Sequence, residues 1–98
     1  ATDPNSGTAM LIALAEALGE LSKAGFKPKR TIKICHWDAE EFGVIGSTEW
    51  VEQNRNELTA KAVAYMNADA AVSGRAFGAS ASPSLKELLT EASKSVKY

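Results

Sequence analysis

The feature that most constrains the fold is segment 31–37, in which apolar residues alternate with others and which is followed by a cluster of acids. Such alternation predicts a β-strand. Asp38, Glu40 and Glu41 follow the segment at once, and Gly43 marks a turn. Neighbouring carboxylates repel each other unless a positive charge lies among them. The segment therefore predicts a divalent-metal site at the end of a strand, with a solvated acidic turn as the alternative.

Two further acids follow or precede structured segments. Asp69 ends a second apolar segment, 62–68, and Asp3 stands before a proline at the start of a helical pattern. Asp3 also fits a helix N-cap, and Asp69 also fits a turn. In open α/β sheets, however, ligands bind beyond the carboxyl ends of the strands. If the two strands are parallel neighbours, Glu40, Glu41 and Asp69 lie on one rim of the sheet.

Helical segments alternate with these two strands along the chain. Apolar residues recur at helical spacing in three segments. The first is 6–23, which ends at Gly25, and the second is 46–58, in which Trp50 and Val51 are expected to face inward. The third is a last helix that starts at Ser82. Segment 70–81 is small and polar, with room for a short third strand. This order predicts an α/β fold, a layered sheet with helices on both faces.

Composition excludes some classes of function and leaves others open. The net charge of −1 gives no indication of nucleic-acid or anionic-membrane binding. The hydrophobic content of 45% is ordinary for a globular domain. No signal peptide and no membrane-spanning segment is found in the chain. Cys35 is the single cysteine, so it cannot form an internal disulfide and is expected to pack in the sheet.

Several motifs, in matching order and spacing, carry a family resemblance. They are Asp3-Pro4-Asn5-Ser6-Gly7, Trp37-Asp38-Ala39-Glu40-Glu41-Phe42-Gly43, Gly46-Ser47-Thr48-Glu49-Trp50 and Asn67-Ala68-Asp69. With them the chain resembles the co-catalytic zinc peptidases that include glutamate carboxypeptidase II, bacterial zinc aminopeptidases and the transferrin receptor. The resemblance implies that residues 1–98 are a central fragment of a single zinc peptidase domain with the zinc aminopeptidase-like fold.

The resemblance also implies a role for each acid. Asp3 would bridge two zinc ions, Glu41 would bind one of them and Asp69 the other, and Glu40 would be the catalytic general base. Carboxylate oxygen is an accepted zinc ligand, and two metals about 3.5–4 Å apart can hold the attacking and leaving oxygens of a reaction. The implied cofactors are two zinc ions, and the implied partner is a peptide substrate.

The zinc sites of the family also use two histidines, which this chain lacks. Its single histidine, His36, matches neither position and is interpreted as a half-buried strand residue. We therefore expect the chain to be part of a longer parent protein and to be inactive by itself. The parent is predicted to be a zinc-dependent exopeptidase. The alternative is a non-catalytic, transferrin-receptor-like ectodomain that binds protein, but the presence of all four acids favours the peptidase.

Substrate preference is left open between aminopeptidase and carboxypeptidase. Gly78 and Ser80 lie where, by the resemblance, glutamate-specific members have charged side chains, and Arg75 is offset from that register. A preference for C-terminal glutamate is therefore not expected. The resemblance also favours an extracytoplasmic or secreted location and is compatible with a homodimeric parent.

Overall fold

The computed structural model describes residues 2–72 and 74–97, and these form helices joined by extended segments. The helices are α1 (Asn5–Lys23), α2 (Ile45–Gln53), α3 (Arg55–Lys61) and α4 (Lys86–Lys94). A 3₁₀ turn at Pro83–Leu85 precedes α4. Within the described ranges there is no β-strand and no sheet. The predicted α/β class is therefore wrong for this chain.

The reason lies in the backbone hydrogen bonds of segments 31–37 and 62–68. A strand exists only when a neighbour supplies partners for its N–H and C=O groups. No backbone hydrogen bond joins the two segments in the described part of the chain. Alternation of side chains thus gives an extended segment here and not a sheet, and the described residues of 70–81 likewise form no third strand.

Segment 31–37 nevertheless sorts its side chains onto two sides. Ile32 and Ile34 line an apolar groove with the C-terminal half of α1. On the other side the Trp37 and Trp50 ring centroids lie 5.4 Å apart at an interplanar angle of 52°. Lys33 Nζ lies 5.8 Å from the Trp50 ring, within cation–π range. Alternate side chains of the segment therefore contact α1 and α2, although the segment is not hydrogen-bonded to a neighbouring strand.

Helix α1 agrees with the prediction, including the way it ends. Gly25 adopts a left-handed φ of 98°. The N–H of Phe26 donates to the carbonyl oxygen of Leu21 at 2.9 Å, and the N–H of Gly25 donates to that of Ser22 at 3.0 Å. This pair of bonds is the Schellman motif, which favours glycine because other residues pay a steric cost at positive φ.

The predicted helix 46–58 is interrupted at Asn54, which separates α2 from α3. The Asn54 side-chain amide donates to the carbonyl oxygen of Trp50 at 2.8 Å, the same oxygen that accepts the Asn54 backbone N–H at 3.0 Å. Asparagine often competes in this way with the helical ladder. Trp50 is half-buried as expected, but Val51 is 47% exposed, so its predicted inward orientation is wrong.

The described residues do not enclose a hydrophobic core. None of their large apolar side chains is buried, and Met66 and Leu88 are 84% and 63% exposed. The radius of gyration is 15.1 Å, whereas a compact domain of this size has about 13 Å. The relative positions of the helices and loops therefore depend on a few contacts between helix starts and loops. Separately, none of the described helices has the length and apolarity needed to cross a bilayer.

Candidate metal centre

Asp3 and Asp69 approach each other at the start of α1. The N-cap of α1 is Pro4, and no side chain caps the helix, so the N-cap role considered for Asp3 is not realised. The Asp3 residue is exposed, and Asp69 is half-buried. One carboxylate oxygen of Asp69, Oδ1, is buried and has no hydrogen-bond partner among residues 2–72 and 74–97. A buried polar atom without a partner is costly unless an unseen group, such as an ion, binds it.

Glu40 and Glu41 lie in a tight turn between segment 31–37 and α2. The N–H groups of Val44 and Gly43 donate to the carbonyl oxygen of Glu40 at 2.8 and 3.0 Å. Ala39 and Val44 have left-handed φ values of 53° and 52°, which are unfavourable for residues with a Cβ and most of all for a β-branched one. Such strain costs on the order of 1–3 kcal/mol per residue and is typical of functional sites.

Asp38 lies against Gly46 at the start of α2. A Cβ placed on Gly46 would lie 2.6 Å from Asp38 Oδ1 and 2.7 Å from its carbonyl oxygen. The N–H of Gly46 donates to that same carbonyl oxygen at 3.2 Å. Gly46 therefore allows the close approach that closes the turn bearing Glu40 and Glu41.

The four candidate acids share one electrostatic environment. The neighbouring Glu41 carboxylate, followed by partial desolvation and the charges of Asp69 and Asp3, raises the pKa of Glu40. A hydrogen bond with the Asp3 carboxyl, followed by partial desolvation and the charges of Asp3 and Glu41, raises the pKa of Asp69. The charges of acids from three distant parts of the chain thus influence one another.

These acids suit a cation but do not by themselves form a finished site. In the part of the chain that the structure describes, no three metal-ligating side chains lie in a metal-binding arrangement. Carboxylate oxygens are nevertheless ligands for zinc and other divalent ions. The unpartnered Asp69 Oδ1 and the mutual repulsion of the acids fit a positive ion between them.

Four other residues differ from their sequence interpretation or were not singled out by it. His36 was expected to be half-buried in a strand, but it is exposed and in no strand. Cys35 is half-buried in the same extended segment. Ser6 and Gly7, by contrast, contact the backbone around Asp69, a role that sequence reasoning missed. The signal was their place directly after the Asp3-Pro4 pair, at the start of a helix.

Comparison with known proteins gives consistent matches over the whole chain. The model of Peptidase family M28 matches residues 1–98. The chain is 59% identical over 97 residues to Probable glutamate carboxypeptidase LAMP1 of Arabidopsis thaliana, which covers 99% of this chain and 14% of that protein. It is 56% identical over 96 residues to Probable glutamate carboxypeptidase of Arthroderma benhamiae, which covers 98% of this chain and 13% of that protein.

A third relative bears a different name. The chain is 43% identical over 93 residues to a protein of Schizosaccharomyces pombe named as an inactive zinc metalloprotease, which covers 94% of this chain and 12% of that protein. The chain thus spans between 12% and 14% of the length of these three relatives. No solved structure gives a significant match.

Proposed function

The chain belongs to Peptidase family M28, and from this premise we propose that its parent protein is a zinc-dependent exopeptidase that hydrolyses peptide bonds. One observation carries the proposal. Asp69 Oδ1 is buried without a hydrogen-bond partner among the described residues, and the neighbouring Asp3 carboxyl raises the pKa of Asp69. Two carboxyl groups held together in this way are typical of a site built for a positive ion.

The names of the relatives favour a carboxypeptidase over an aminopeptidase. The relatives from Arabidopsis thaliana and Arthroderma benhamiae, each with more than half of the aligned residues identical, are both named probable glutamate carboxypeptidases. Their aligned segments contain nearly the whole of this chain. We therefore propose that the parent removes residues from the C-terminal end of peptides, and the residue that it removes is a separate question.

Each acid of the candidate centre has a proposed task. Asp3 would contribute to holding both zinc ions, Asp69 would hold one of them and Glu41 the other. Zinc, when bound, supplies a Lewis acid that polarises a carbonyl group and makes water more acidic. Asp3 is suited to the shared position because its carboxylate is exposed, caps no helix and reaches Asp69.

Glu40 is proposed to move the proton. Its carboxylate is exposed at the edge of the strained turn, so water and substrate can reach it. It would accept a proton from the attacking water and give it to the nitrogen of the leaving amine. General acid–base catalysis of this kind contributes roughly 10²–10⁴ in rate. Glu41, next to it in sequence, would not be free to do the same if its oxygens held the metal.

The alternative is a parent that keeps the fold for protein binding and has no peptidase activity. The name of the Schizosaccharomyces pombe relative is the observation that favours it. The test is hydrolysis of unblocked peptides by the purified parent, before and after removal of metal with a chelator. We expect activity that disappears with the metal and returns with added zinc. A metal-loaded parent that hydrolyses none of these peptides would support the non-catalytic alternative.

A further inference from the structure

The Ser6 side chain joins the two parts of the chain that carry Asp3 and Asp69. Its Oγ accepts the N–H of Ala71 at 2.8 Å and that of Val72 at 3.3 Å. Two carbonyl oxygens could accept the proton of the hydroxyl, that of Thr2 at 2.6 Å and that of Asp69 at 3.4 Å. The hydroxyl donates to the nearer of the two, the Thr2 oxygen. A serine hydroxyl has one proton and two lone pairs, so the hydroxyl is fully used.

The geometry of these bonds places Ser6 between the two acids. Thr2 directly precedes Asp3, and Ala71 and Val72 follow Asp69 closely. The backbone N–H of Ser6 also donates to the Thr2 carbonyl oxygen, at 3.0 Å. One residue of α1 therefore holds the backbone on the N-terminal side of Asp3 and the backbone on the C-terminal side of Asp69.

Gly7 makes this close approach possible. It is the buried residue of α1, and a Cβ on it would clash with the carbonyl oxygens of Asp69 and Ala68, the latter at 2.5 Å. Both obstructing atoms belong to the backbone, which cannot rotate away as a flexible side chain could. Ser6 thus supplies the bonds and Gly7 the space for one junction.

We propose that Ser6 is a positioning residue whose hydroxyl sets the separation of the Asp3 and Asp69 carboxylates, and thereby the metal affinity of the centre. The inference rests on the proposed function, in which both acids bind metal. Groups that hold metal ligands in place without touching the metal typically contribute about 10–100-fold in metal affinity. Two carboxylates that share an ion are sensitive to their separation because the ligand distances of zinc are short and narrow in range.

The test compares Ser6→Ala with Ser6→Thr in the parent protein. Zinc affinity is measured by competition with a chromophoric chelator, and the visible spectrum of the cobalt-substituted protein reports the ligand geometry. We expect Ser6→Ala to weaken zinc binding about 10–100-fold and to alter the cobalt spectrum. Ser6→Thr retains the hydroxyl and should restore both. Equal losses in the two variants would show a packing effect and overturn the proposal, as would unchanged binding in Ser6→Ala.

Two controls separate this inference from the proposed function. Ser95 is exposed, and within the described part of the chain its Oγ donates to one acceptor, the carbonyl oxygen of Ala92 one turn earlier, at 2.7 Å. Ser95→Ala should leave zinc affinity unchanged, and a loss equal to that of Ser6→Ala would overturn the proposal.

Asp69→Asn tests the metal centre itself. If Asp69→Asn abolishes zinc binding while Ser6→Ala does not change it, the positioning role fails alone. If neither variant changes it, the metal centre fails too.

Discussion

The Ser6 hydroxyl accepts the backbone N–H of Ala71 at 2.8 Å, and this bond brings the segment that follows Asp69 to the start of α1, where Asp3 lies. Carboxylates brought near each other in this way repel unless they share a proton or a positive ion. The contact therefore links the local structure of the helix start to the chemistry proposed for the centre.

The first prediction concerns the stability of the metal-free parent as a function of pH. The pKa values of Glu40 and Asp69 are raised from their ordinary values of 4.5 and 3.8. The folded state therefore holds these protons more tightly than the unfolded chain does. The stabilisation that these two protonated groups contribute is complete at pH values below their ordinary pKa values. It is lost as the pH rises from the ordinary pKa values through the raised pKa values of the folded state. Metal-free protein should thus lose stability across this interval.

The Glu40→Gln variant isolates this effect. The amide carries no charge, so metal-free Glu40→Gln should unfold at a higher temperature than the wild type at neutral pH. The advantage should shrink as the pH approaches 4.5 from above. Thermal unfolding curves at several pH values, recorded with chelator present, give the comparison. A variant that is less stable than the wild type at neutral pH would contradict the prediction.

The second prediction concerns turnover by the same variant with metal present. Glu40→Gln should keep both zinc ions but lose roughly 10²–10⁴ in the turnover number, because an amide cannot accept the proton of water. Zinc content and peptide hydrolysis are measured on the same preparation. Glu49→Gln, a change of the same kind on an exposed glutamate of α2, is the matched control and should remain active. Near-normal hydrolysis by Glu40→Gln would remove the role given to this residue.

The third prediction uses two glycines of α1. Gly7→Ala should destabilise the parent by about 1–3 kcal/mol and weaken zinc binding, because the new methyl group meets backbone oxygens of Ala68 and Asp69. At Gly19 a Cβ would have nothing within 4 Å, so Gly19→Ala should stabilise the helix by about 0.5–1 kcal/mol. Denaturant unfolding and zinc titration check both. The same response from the two variants would contradict the close approach at Gly7.

The fourth prediction concerns the terminal residue of the substrate. The sequence offers Gly78 and Ser80, which have no charged side chain to bind a terminal glutamate, and Arg75 is exposed. We expect the parent to show no strong preference for C-terminal glutamate, even though its relatives are named probable glutamate carboxypeptidases. The values of kcat/KM for peptides ending in glutamate, leucine and lysine decide it. A large selective rate for the glutamate peptide would refute the prediction.

The sequence predicted local structure better than it predicted pairing. Helix α1 and its glycine-terminated end follow from apolar spacing and from the conformational freedom of Gly25, both of which are local properties. The strands at 31–37 and 62–68 do not form, because a strand depends on hydrogen bonds from a distant partner and those bonds are absent between these segments. The break at Asn54 depends on one side-chain hydrogen bond that apolar spacing does not reveal.

The candidate centre could be predicted only in part for the same reason. Adjacent acids after an alternating segment pointed to Glu40 and Glu41, and the family motifs added Asp3 and Asp69. Ser6 could not be identified as a link between two of these acids, because its bonds to Ala71 and Val72 depend on the folded path of the chain. Likewise, the spacing of His36 gave no indication that it would be exposed.

The most direct test of the central claim is the zinc content of the parent and of its Asp3→Asn, Glu41→Gln and Asp69→Asn variants, measured by elemental analysis after equilibration with limiting free zinc. Wild-type protein should hold about two ions. Loss of Glu41 or Asp69 should lower the content, and loss of Asp3 should affect both ions, with Glu49→Gln unchanged. Full occupancy in all three variants would contradict the account, because these carboxylates would then not bind the metal.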